Sequence, residues 1–182
     1  MDAALQQLSL RGVLAGLNLR RVADAVGVTP ANIYHLFGSR QGLLRAALAR
    51  ETERLAAPVN ALEEVSYVER RTAMFDLITT TPELALTALL ALDGDPDYRP
   101  LPFFEATRAR YAAEVEAGTI PRELDVDAAH LLGLATSIGM AIYGQAAARQ
   151  LGITRDELHE RCRVVFEHML DALVPPAGAD DA

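Results

Sequence analysis

Apolar residues recur along most of the chain at the three- and four-residue spacing of a helix face, and glycine and proline fall between the periodic stretches. Strand-type alternation is weak throughout. The pattern predicts an all-α protein of nine helices. The first covers about 2–11 and stops before Gly12. A second runs from Leu19 to Val26, with Asn18 as its N-cap and Gly27 after its end. Thr29-Pro30, a capping residue followed by proline at the first helical position, opens a third that reaches Leu36. A fourth starts at Ser39 and runs to about Ala56, with Gly42 in its first turns costing about 1 kcal/mol relative to alanine. Pro58 then breaks or kinks the chain. Helices over about 60–80, 82–92 and 101–117 follow, the middle one opened by Thr81-Pro82-Glu83. A long helix is predicted over about 126–150. Thr154-Arg155-Asp156-Glu157 has the capping-box pattern for the last helix, which reaches about Leu173, and the tail from Pro175 reads as frayed. These elements divide into a helix-turn-helix domain over 1–46, a helical body over 47–175 and a flexible tail over 176–182.

A length of 182 residues with 51% apolar content allows a small domain and a medium one, each with a buried core. No apolar run of 18 residues is free of charges or breakers, so no transmembrane helix and no membrane partner are expected. Met1 to Leu5 lack the basic start of a signal peptide, and a cytoplasmic location is the expectation. Cys162 is the only cysteine, which excludes an intrachain disulfide and a multi-thiolate metal site. The net charge of −8 speaks against nucleic acid when taken globally. Its distribution speaks the other way. Residues 1–50 hold six arginines and two acids, for +4, which leaves −12 on the rest. A basic head on an acidic body is the footprint of a DNA-binding module joined to something else.

In the head, Leu19, Val22, Ala23 and Val26 form one apolar stripe, and Val28, Ile33, Leu36 and Phe37 form a facing one. Glycine stands at the turn between them, where a left-handed backbone is cheap. Ala31, Asn32, Tyr34 and His35 are left off the core face. A short helix presenting small and amide-bearing residues suits a major groove, where Asn32 can pair with adenine and Ala31 can touch a thymine methyl. His35 would also face bases. Thr29 with Pro30 at the helix start, Tyr34, Arg20 and Arg40 suit phosphates, as does the helix start at Asn18.

The string Ala23…Gly27-Val28-Thr29-Pro30…Ile33-Tyr34-His35-Leu36-Phe37-Gly38-Ser39-Arg40…Leu43-Leu44 resembles the signature of the tetracycline-repressor (TetR) family over roughly residues 3–50. Its most specific part is Tyr34-x-x-Phe37-Gly38-Ser39-Arg40, with arginine where the family usually has a lysine near the DNA backbone. The resemblance departs at the start. Family members usually carry further, often basic, residues ahead of the position of Asp2. Here the expectation is either a start downstream of the true one or a head with fewer phosphate contacts.

The resemblance implies a transcriptional regulator, by family default a repressor, that binds double-stranded, palindromic operator DNA as a homodimer. On the helix over 126–150, Gly133, Ser137, Ala141, Gly144 and Ala148 form a small-residue stripe that permits close helix approach. On the last helix, Leu158, Cys162, Val165, Met169 and Leu173 form an apolar stripe. In the family these two helices build the dimer interface. The resemblance also implies an inducer pocket in the body, and no cofactor. Candidate lining groups are Met74, Phe75 and Ile78, then Leu89, Phe103, Phe104 and Tyr111, then His130, Leu134, Met140 and Tyr143. Such a lining suits an apolar or aromatic small molecule better than a strongly charged one.

An enzyme is not expected. The four histidines lack metal-protease spacing, no nucleophile elbow occurs, and a phosphate-binding loop is impossible without lysine. Asp93, Asp95 and Asp97 imitate a calcium loop, but Tyr98 stands where glycine is needed and Phe104 where the bidentate Glu belongs. Cys162 reads as buried packing. The remaining alternative is a helical ligand-binding or interaction protein with weakened or lost DNA binding.

Overall fold

The structure is a computed structural model and describes residues 19–62 and 64–174. The helix predicted over 2–11, Asn18 and the tail from Pro175 lie outside the described residues. Within them there are eight α-helices, one 3₁₀ segment and no strand. The helices are α1 (Leu19–Val26), α2 (Pro30–Phe37), α3 (Arg40–Asn60), α4 (Tyr67–Thr79), α5 (Thr87–Leu92), α6 (Phe104–Glu116), α7 (Val126–Leu151) and α8 (Arg155–Leu173). The 3₁₀ segment, Pro82–Leu86, precedes α5.

The chain divides into two compact units, and the division is discontinuous. One unit takes Met1–Ala57 and Thr81–Pro100, the other Pro58–Thr80 and Leu101–Ala182. The expected cut at 46/47 gave the whole of 81–100 to the body. The reason for the difference is packing: Leu86, Leu89 and Leu90 are buried with Leu19, Val22, Ala23, Ile33, Leu43 and Leu48 in the first unit's core. Leu89 is therefore no pocket residue of the body. Polar contacts reinforce that packing. The amide of Gln41 donates to Asp93 at 2.6 Å, and Arg45 Nη1 donates to the two oxygens of Asp95 at 2.6 and 2.5 Å. The acidic loop is thus a clamp on α3.

Several boundaries moved for identifiable reasons. Pro58 does not end α3, which continues to Asn60 although proline has no N–H to donate to the ladder there. The helix expected from residue 60 begins only at Tyr67, where Ser66 and Glu69 form a reciprocal capping box. Ser66 Oγ accepts from the Glu69 amide at 3.3 Å, and the Glu69 carboxylate accepts from the Ser66 amide at 3.1 Å. At the start of α8 only half of the expected box forms. Thr154 Oγ1 accepts from the Glu157 amide at 3.1 Å, while the Glu157 carboxylate takes Arg161 instead.

In the second unit α4 packs on α7 and α8, and α6 packs on α7. Tyr67, Phe75, Tyr111, Ile120, Phe166 and Leu170 form its core, with the Phe75 and Phe166 rings stacked at 5.1 Å. By length and composition alone α7 could cross a membrane, which the sequence pattern did not predict. One face of α7 is nonetheless packed, burying His130, Gly133, Ser137, Gly144 and Ala148.

Candidate DNA-reading face and ligand cavity

Two glycines bracket α2 with left-handed backbone, Gly27 at φ 68° and Gly38 at φ 71°, and the Gly38 amide closes the helix by donating to the Tyr34 carbonyl at 2.8 Å. Thr29 caps the other end. Its hydroxyl accepts from the Asn32 amide at 3.3 Å and donates to Asn32 Oδ1 at 2.5 Å. The two contacts tie the Asn32 side chain to the cap. Ile33 is the helix's buried anchor, and Ala31, Asn32, Tyr34 and His35 are exposed around it, with Pro30 half-buried. Arg20 and Arg40 are also exposed. The expected facing stripes are narrower than predicted. Val26 and Val28 are exposed, and Leu36 is 73% exposed, because an eight-residue helix buries little more than one residue per turn.

The second unit holds a cavity of about 130 Å³ whose walls come from the end of α3, from α4, α6 and α7, and from the turn before α6. Of the residues expected to line a pocket, Met74, Ile78, Phe103, Tyr111, His130 and Leu134 do so. Phe75, Met140 and Tyr143 line a different, open groove between α7 and α8. Phe104 lines neither, its ring lying 5.3 Å from the Arg108 guanidinium. The sequence reading missed the polar wall: Asn60, Arg70, Arg71, Thr107, Arg110 and Ser137. A signal existed, because residue 71 precedes Met74 and Ile78 at helical spacing on α4.

The electrostatics of that wall are uneven. Arg70 makes a two-pronged ion pair with Glu114 at 2.6 and 2.8 Å. Arg71, 9% exposed, has one long contact, Nη2 to the His130 carbonyl at 3.4 Å, and its Nε has no hydrogen-bond partner. His130 is buried too, its Nδ1 is unpartnered, and burial followed by the neighbouring Arg71 charge depresses its pKa to about 4, against a smaller opposing pull from Asp127. Phe103, at the cavity, is the one described non-glycine residue with positive φ, at 55°.

The small-residue stripe on α7 faces inward. A Cβ on Gly133 would come within 1.8 Å of Arg71 Nη2, and Ser137, Gly144 and Ala148 are likewise buried in this chain. Gly144, Leu158 and half-buried Cys162 also line the open groove between α7 and α8, and Ala141 is half-buried. Val165, Met169 and Leu173 on α8 are exposed, as are Leu132 and Tyr143 on α7. The groove between the two helices, about 500 Å³, has almost wholly apolar walls.

Residues 1–47 match the profile of the bacterial regulatory proteins of the tetR family. The likeness by sequence is confined to that N-terminal segment. No curated protein matches the chain by sequence. Solved structures that it resembles include one assigned as a TetR-family transcriptional regulator from Rhodococcus sp., with TM-score 0.69, 22% identity and 95% of each chain covered. Another, titled for the control of antibiotic production by bacterial hormones, has TM-score 0.65 and 24% identity, covering 95% of this chain and 94% of the other. A third, the transcriptional regulator FadR from Bacillus subtilis in complex with stearoyl-CoA, has TM-score 0.59 and 16% identity, covering 91% and 94%. At these identities the likeness is one of fold: the described residues share the helical fold of these TetR-family structures.

Proposed function

We propose that this chain is a sequence-specific DNA-binding transcriptional regulator, a repressor released from its operator by a small molecule held in the second unit's cavity. The observation that carries the reading is α2, which lies within the tetR-family segment and exposes Ala31, Asn32, Tyr34 and His35 around buried Ile33. Asn32 reads bases, oriented by Thr29, while Tyr34, Arg20 and Arg40 meet phosphates. Two copies associate through the exposed apolar positions of α7 and α8, Tyr143, Val165, Met169 and Leu173 among them, and so offer two α2 helices to a palindromic site. Ligand acts by population shift: it binds one arrangement of the dimer better than the DNA-competent one, and operator affinity falls by that difference. An operator titration with wild type and Asn32→Ala tests the reading. Selective, salt-dependent binding weakened by the substitution supports it; absence of selective binding by wild type refutes it.

A further inference from the structure

We infer that the cavity of the second unit takes a small carboxylic acid with an apolar body, and that Arg71 binds its carboxylate. The inference rests on the cavity being a ligand site, and names the class of ligand.

Arg71 carries a full positive charge, is nine-tenths buried, and lines the cavity. Its five N–H groups find one carbonyl at 3.4 Å and nothing at Nε. Among the described residues no acid makes a hydrogen bond to Arg71: Glu114 holds Arg70 at 2.6 Å, and Asp127 has Arg108 at 3.2 Å. A buried cation without a counter-charge is costly, and such a group persists where something else supplies the anion. The position is also built for the guanidinium. Gly133 leaves room for it where it lies, since a Cβ there would come within 1.8 Å of Nη2 and push the guanidinium tip aside. A carboxylate matches the planar fork of arginine, and one uncompensated cation calls for one negative charge. Beside the polar groups, Met74, Ile78, Phe103 and Leu134 give the wall an apolar part that suits a hydrocarbon or aromatic body; a volume of about 130 Å³ keeps that body small. Phe103 reaches the cavity from a left-handed backbone, a strain of the kind kept at ligand sites.

The test uses the full chain and four probes: benzoate and hexanoate, each against its neutral amide. Calorimetry and thermal melting read binding. Both acids bind and raise the melting temperature, and the amides bind about tenfold or more weakly. Arg71→Met removes the preference for acid over amide, and Arg71→Lys retains part of it. Should Arg71→Met not fold, the contrast between acid and amide on wild type decides alone. Equal binding of acid and amide, or no binding of either acid at millimolar concentration, overturns the inference. Tighter binding of phenyl phosphate than of benzoate overturns the carboxylate assignment. Operator release is scored separately. Acids that bind through Arg71 without changing operator affinity uphold the anion site and remove the inducer reading. Operator release by amide and acid alike does the reverse.

Discussion

Acidification should weaken the helical body through one imidazole. His130 is buried on α7 with Nδ1 unpartnered, and its pKa falls from 6.5 to about 4, first through burial and second through Arg71. The unfolded chain therefore takes up this proton before the folded one does. The stabilisation is complete above the unfolded value of 6.5 and is lost as pH falls toward 4. A displacement of that size is worth roughly 3 kcal/mol in full, of which about 2 kcal/mol is gone by about pH 5. Urea unfolding of wild type and His130→Gln at about pH 8 and about pH 5 isolates the effect, because every other titrating group is common to both proteins. Wild type should lose about 2 kcal/mol more than the variant over that interval. The comparison concerns the change with pH, so any fixed cost of burying glutamine drops out. Equal losses in the two proteins would refute the reasoning, and with it the picture of a neutral imidazole beside a buried guanidinium.

Arg70→Ala should destabilise the second unit by about 2 kcal/mol, since it leaves part-buried Glu114 uncompensated, whereas Arg70→Met with Glu114→Leu should cost far less; chemical denaturation of the three proteins checks this. Thr29→Ala should cost about 1 kcal/mol through loss of the α2 cap and should also weaken operator binding by freeing Asn32, with Thr29→Ser restoring both in melting and gel-shift measurements. Val165→Glu combined with Met169→Glu should shift the sedimentation profile toward monomer and weaken self-association by about tenfold or more. An unchanged profile would show that the exposed stripe of α8 is not the interface.

The head was legible because its signals are local. Thr29-Pro30, Gly27 and Gly38 act on their own backbone, and each does what its chemistry dictates without help from distant residues. Ser66-x-x-Glu69 was an equally local signal for the start of α4, passed over in favour of apolar periodicity. What sequence could not reveal is which neighbour a helix face meets. Leu89 is as apolar as any pocket residue, yet its burial against Leu19 and Val22 depends on where 81–100 returns. Arg71 had the right spacing with Met74 and Ile78, but a charge is ordinarily solvated, and only the tertiary structure shows it buried.

The two faces of α7 show what its stripe can and cannot say. A run of small residues states that something approaches closely, not what it is. Gly133, Ser137, Gly144 and Ala148 lie toward the chain's own interior, and the approaching group at Gly133 is a guanidinium on α4. Leu132, Thr136, Gly139, Tyr143 and Ala147 occupy the adjacent face, one residue and so about 100° around the helix. Four of these five line the groove shared with α8, where Val165 and Met169 stand exposed. A helix that packs inward against a buried cation and lines an apolar groove outward carries small or apolar residues on both faces. Periodicity finds both and cannot rank them. At Gly133 the neighbour is already present, a guanidinium of the same chain on α4.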